Sequence, residues 1–127
     1  MTNSEKITVL VVDDEAETVQ MLITALGLLG FTVLPAYSGA DAVAQFERHR
    51  PQAVVLDLML PDFDGYEVAR RLRAAAGEAP VPIMVLSATA DVAAEDQSLK
   101  AGATHFFRKP VPIRSLGDAI RSAVEGR

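Results

Sequence analysis

The chain contains no cysteine and no tryptophan. Without cysteine there can be no disulfide framework and no thiolate metal centre. Aromatic residues of all kinds make up only 6% of the sequence, so the core must be built from aliphatic side chains. No apolar run approaches the roughly 18 residues that mark a membrane-spanning helix. The opening Met1–Lys6 is polar and lacks the apolar centre of a signal peptide, so the expected compartment is the cytoplasm. Basic charge is scarce as well. Twelve Lys and Arg stand against 17 Asp and Glu, a net charge of -5, with a pI near 4.9. That balance argues against general attraction to nucleic acid or to an anionic membrane surface.

What is present suits a globular domain. The chain has 127 residues, half of them hydrophobic, and a mean hydropathy of +0.20. This length makes one domain, with a core expected over about residues 7–124. There is no internal repeat and no low-complexity segment.

Short apolar runs alternate with helical periodicity. Ile7–Val12 reads as a strand buried on both faces. Val19, Leu22, Ile23, Leu26 and Leu29 follow at helical spacing, and Gly30 stands where such a helix stops. Phe31–Ala36 is a second strand. Ser38-Gly39-Ala40-Asp41 opens a capped helix with Ala42, Val43 and Phe46 on its apolar face. Pro51 ends that helix, and Ala53–Leu56 is a third strand. Pro61–Gly65 reads as a loop, after which Asp64 caps a helix facing the core through Val68 and Leu72. Ala74–Pro82 reads as a loop of small residues and Ile83–Leu86 as a fourth strand. Asp91–Ala101 is a polar helix, Thr104–Arg108 a fifth strand, and Ile113, Leu116, Ile120 and Val124 mark a last amphipathic helix. Five βα units predict an α/β fold with a doubly wound parallel sheet. The flavodoxin-like (βα)5 strand order 2-1-3-4-5 fits best.

That order gathers charged residues at one edge. Asp13 and Asp14 follow the first strand, Asp57 follows the third, and Lys109 follows the fifth. Strands 1 and 3 are neighbours in this order, about 4.7–4.9 Å apart. Two carboxylates at about 4 Å repel by roughly 4 kcal/mol at an effective dielectric of 20. Such a set wants a hard cation with oxygen ligands, Mg²⁺ or Mn²⁺. Lys109 reaches Asp57 only across the end of strand 4, where Ser87 and Ala88 are small. It would pair with Asp57 at rest and with a phosphoryl oxygen after transfer, to which the Ser87 hydroxyl could also donate. Taken singly, each residue has an ordinary use: acids cap helix starts, and a lone lysine is a solvated one. His49 and His105 read as surface residues, Phe107 as core, and Arg70, Arg71 and Arg73 as a solvated helix face.

The set Asp13-Asp14, Asp57 within Val-Val-Leu-Asp-Leu-Met-Leu-Pro-Asp-Phe-Asp-Gly-Tyr-Glu, Ser87-Ala88 and Lys109-Pro110 resembles the receiver domain of two-component response regulators. The resemblance covers about Ile7 to Val124. It implies that Asp57 takes a phosphoryl group from a sensor histidine kinase or a histidine phosphotransfer protein. It implies Mg²⁺ held by Asp14 directly, by Asp13 largely through water, by Asp57 and by the main-chain carbonyl of Met59. It further implies a cis peptide before Pro110, and a switch in which Ser87 moves toward the phosphate and Phe106 follows inward. The domain would be a signalling switch, an enzyme only toward its own phosphorylation and slow dephosphorylation, and a monomer or a weak phosphorylation-dependent dimer.

The chain departs from the family pattern in places. Phe106 stands where many members carry tyrosine, Ser87 where many carry threonine, and Val111 where phenylalanine is frequent. Ala103-Thr104-His105 lacks the acids that winged-helix transcription factors of this family use for a dimer, which argues against that class of parent. Two enzyme classes share parts of the pattern. A haloacid-dehalogenase-type phosphatase needs an aspartate two residues after the nucleophile, where Met59 stands here. A flavodoxin needs a hydroxyl- and glycine-rich phosphate loop, where Asp13-Asp14-Glu15 stands. The chain stops soon after the last helix, so the effector is unspecified: a stand-alone receiver, a relay shuttle and a fragment of a larger regulator all remain open.

Overall fold

A computed structural model describes residues 6–60 and 64–126. Five strands, β1 (Thr8–Val12), β2 (Thr32–Ala36), β3 (Ala53–Asp57), β4 (Ile83–Ser87) and β5 (His105–Arg108), alternate with five helices. These are α1 (Ala16–Leu28), α2 (Gly39–His49), α3 (Gly65–Ala76), α4 (Ala94–Ala101) and α5 (Ile113–Glu125). The strands form one parallel sheet in the order β2-β1-β3-β4-β5. This is the flavodoxin-like, doubly wound architecture that the alternation predicts.

The strand sequences follow from position in the sheet. The central strands β1, β3 and β4 are continuous apolar runs because helices cover both faces. On one face Leu10, Val12, Val54, Leu56, Ile83 and Val85 pack against α2, α3 and α4. On the other, Val9, Val11, Val55, Met84 and Leu86 pack against α1 and α5. β2 is an edge strand and half-exposed, which is where Pro35 is tolerated in a ladder.

Local chemistry sets the helix ends. Ser38 caps α2 by accepting the Asp41 amide at 3.1 Å, and Asp64 caps α3 by accepting the Glu67 amide at 2.8 Å. Chain positions 61–63, within the expected loop Pro61–Gly65, lie outside the described residues, and Gly65 itself is the first residue of α3. That glycine is required by closeness: a Cβ there would sit 2.4 Å from the Leu58 Cα.

Three expectations need correction. Ala74–Ala76 form the last turn of α3, not a loop, because Ala76 is buried against the core and alanine favours a helix. α4 begins at Ala94, three residues later than expected, because the Asp91 carboxylate instead accepts the Ala93 amide at 2.9 Å in a turn. Arg73 is not solvated like Arg70 and Arg71: its guanidinium donates to the carbonyls of Val81 at 2.8 Å and Gly102 at 2.9 Å. It therefore ties the end of α3 to the start of β4 and the end of α4. His49 is exposed, whereas His105 is half-buried and stacked on Phe107.

α4 is the shortest of the five helices. It buries only Ala94, Ser98 and Ala101, and the fully buried Ser98 hydroxyl has no hydrogen-bond partner.

Candidate functional site

β1 and β3 are neighbours with Val12 opposite Leu56, so the residues that follow, Asp13 and Asp57, emerge side by side. Side chains alternate along a strand. Asp13 therefore shares the α1–α5 side of the sheet with Val11, and Asp57 shares it with Val55. The Asp13 amide donates to the Ala36 carbonyl at 3.1 Å, which anchors the strand end to β2.

Each acid uses one carboxylate oxygen in its own turn. Asp13 Oδ1 accepts the Glu15 amide at 3.0 Å, and Asp57 Oδ1 accepts the Met59 amide at 3.0 Å. The Oδ2 atoms of both then face a single ammonium. Lys109 Nζ lies 3.1 Å from Asp57 Oδ2 and 4.0 Å from Asp13 Oδ2. β5 delivers that lysine. Ser87 stands opposite Arg108 in the register, and the Lys109 amide donates to the Ser87 carbonyl at 2.9 Å. The Lys109–Pro110 peptide is cis.

The charges do not balance. Asp13 is buried, and that desolvation pushes its carboxyl up to about 6, with the adjacent Asp57 adding to the rise. The Glu15 amide and the Lys109 ammonium pull the other way without cancelling it. One lysine therefore leaves an excess of negative charge at the strand ends.

A hard divalent cation suits this excess and this all-oxygen donor set. Asp14 is the next residue after Asp13 and is exposed, and the carbonyl of Met59 lies two residues past Asp57. Among the described residues no three acidic or imidazole groups are already clustered as a metal would hold them. The structure thus brings Asp13, Asp57 and Lys109 together and leaves Asp14 outside that contact.

Ser87 and Phe106 belong to the opposite face of the sheet. Ser87 is buried, and its hydroxyl oxygen accepts the Thr89 amide at 3.1 Å. Phe106 is half-buried against the α2–α3–α4 core. Sequence reasoning gave no role to Arg108, whose guanidinium lies 5.1 Å from the centre of the Phe106 ring. The signal was available, because residues 106 and 108 of one strand must share a face.

Beside the acids a cavity of about 610 Å³ runs between α1 and α5. Asp13, Asp57 and Lys109 line its polar end, and Met21, Leu22 and Leu116 line its apolar wall. The site therefore opens onto α1, where Met21 is 60% exposed.

A family model described as "Response regulator receiver domain" matches residues 9–121. A protein of Porphyridium aerugineum described as "Probable transcriptional regulator ycf27" is 40% identical over 120 residues, 94% of this chain and 49% of that protein. "Response regulator MprA" of Mycobacterium ulcerans is 37% identical over 114 residues, 90% of this chain and 48% of that protein. The chain spans about half the length of the curated relatives it matches. Among solved structures, a response regulator receiver domain protein of Clostridium thermocellum superposes with a TM-score of 0.87 at 25% identity, covering 94% of this chain and 95% of that one.

Proposed function

The chain belongs to the response regulator receiver domain family, a signalling domain of two-component systems, and on that premise we propose that Asp57 is its phosphoacceptor. The observation that carries the proposal is the placement of Asp57 Oδ2. It lies 3.1 Å from the Lys109 ammonium and beside the buried Asp13, at the open end of the central strands.

Transfer from a phosphohistidine of a sensor kinase or phosphotransfer protein balances simply. A lone pair on Asp57 Oδ2 forms the new O–P bond. The P–N bond to the donor imidazole breaks, and its electron pair stays with the ring nitrogen. The product is an acyl phosphate. Lys109 Nζ, already within hydrogen-bond reach of Asp57, passes to a phosphoryl oxygen of the product. Ser87 donates its hydroxyl proton to another. Asp14, Asp57 and the Met59 carbonyl, with Asp13 largely through water, would hold Mg²⁺, which when bound would screen the acids against the incoming phosphoryl charge. Phe106 is the residue that responds to the movement of Ser87.

Two residues past Asp57 stands Met59, which has no proton to give or take. Hydrolysis of the acyl phosphate is therefore slow and the phosphorylated state persists long enough to signal. The phosphodonor docks over α1, which borders the site. The whole chain is read as one receiver domain, monomeric or weakly dimeric once phosphorylated, and its output partner is a separate protein or a domain beyond the half that the relatives share. Among the described residues no helix is long and apolar enough to cross a membrane.

Intact mass spectrometry after incubation with acetyl phosphate and Mg²⁺ tests the assignment. Wild type should gain one phosphoryl group and Asp57→Asn none. Equal labelling of the two would remove Asp57 from the role.

A further inference from the structure

Along β5, Phe106 and Arg108 project to the face that carries Ser87, while Lys109 belongs to the other face. Arg108 uses its guanidinium on that face in a specific way. Nη1 donates to the Thr89 carbonyl at 2.6 Å and Nη2 to the Asp91 carbonyl at 3.2 Å. The same group lies over the Phe106 ring. Thr89, whose carbonyl is held, donates its own amide to the Ser87 hydroxyl oxygen at 3.1 Å. Thr89 Oγ1 accepts the Asp91 amide at 3.1 Å. The segment 88–91 is thus folded back onto the Ser87 side chain and pinned from the neighbouring strand.

We infer that Arg108 is a positioning residue that holds the phosphoryl-binding hydroxyl in its resting place, acting on Ser87 through Thr89. A serine hydroxyl has one proton to give and an oxygen that accepts. With the Thr89 amide held against that oxygen, the hydroxyl stays on the face opposite Asp57, and it reaches a phosphoryl oxygen only when that bond opens. The planar fork of a guanidinium spans two carbonyls at once, which an ammonium does not. Its stacking on Phe106 places the loop and the aromatic switch residue on one side chain, so displacement of either disturbs the other. The inference rests on Asp57 being the phosphoacceptor.

A double-mutant cycle with Mg²⁺ and beryllofluoride, followed by amide NMR, tests it. Arg108→Ala should tighten beryllofluoride binding about fivefold in a wild-type background and leave it unchanged in a Ser87→Ala background. Arg108→Lys, which keeps the charge and loses the fork, should fall between. In metal-free protein, Arg108→Ala should speed amide hydrogen exchange at Thr89 and Asp91 while Val54, in the middle of β3, stays protected. An equal change in both backgrounds, weaker binding in the wild-type background, unchanged exchange at Thr89, or a lysine variant equal to wild type would overturn the inference and leave the Asp57 assignment standing. Failure of folded wild type to bind beryllofluoride would remove the Asp57 assignment and this inference with it.

Discussion

Removing the charge of Asp13 should stabilise the metal-free protein. The carboxyl titrates near 3.8 when unperturbed and is raised to about 6 in the fold, first by burial and then by Asp57. Between those values the folded state holds more protons than the unfolded one. Unfolding free energy therefore falls as pH rises through that window, and levels off above it. The full shift corresponds to about 3 kcal/mol at 1.36 kcal/mol per unit. The acid lies at the mouth of an open cavity beside an ammonium, so solvent screening reduces the expected effect to about 1–2 kcal/mol. Asp13→Asn keeps an oxygen for the Glu15 amide and discards the charge. In urea titrations with chelator, followed by circular dichroism, the variant should be more stable than wild type by that amount at about pH 8. The gain corresponds to about 4–7 °C in Tm for a chain of this length. It should shrink to about a fifth of that size near pH 4, where the folded state of wild type is protonated and the unfolded state about half so. Mg²⁺ should raise the Tm of wild type and have much less effect on the variant, because ligand binding to the folded state adds stability. A variant no more stable than wild type at pH 8, or a gain of the same size at pH 4, refutes the reasoning.

Two other substitutions probe the framework of the site. Gly65→Ala places a Cβ 2.7 Å from the Leu58 carbonyl and 2.4 Å from its Cα. Since the obstacle is backbone, the variant should lose about 2–3 kcal/mol in urea unfolding and shift the amide resonances of Leu58 and Met59; unchanged stability would show that the segment after Asp57 yields freely. Ser98→Ala removes the buried hydroxyl that lacks a partner, and should stabilise the protein by about 1 kcal/mol. Slower amide exchange along α4 would locate the gain there, and a destabilised variant would mean that the hydroxyl is bonded after all.

The architecture was legible because each level of the chain agrees with the next. β-branched runs with no polar alternation require a sheet covered on both faces, and Ser38 and Asp64 announce their helices by side-chain chemistry that needs no tertiary partner. Legibility failed where a long-range contact overrode local preference. Ala74–Ala76 carry no apolar periodicity of their own, and only the packing of Ala76 on the sheet shows them to be helix. Arg73 resembles its neighbours in sequence, yet its guanidinium meets carbonyls 8 and 29 residues away. The Asp91 carboxylate turned inward on the Ala93 amide and shortened α4, a choice that spacing alone cannot reveal.

The amino-acid order by itself determined the alternation of strands and helices, and therefore which ends of which strands carry Asp13, Asp57, Ser87 and Lys109. Hydrophobic periodicity is a local property of the chain, so it needs no knowledge of what packs where. The tertiary structure alone decided how those groups divide the work. It turned the Oδ2 atoms of Asp13 and Asp57 toward one lysine, left Asp14 exposed, buried Asp13 deeply enough to raise its pKa, and pinned the loop after β4 with Arg108. Side-chain direction and desolvation depend on neighbours distant in sequence, and those exist only once the sheet has closed.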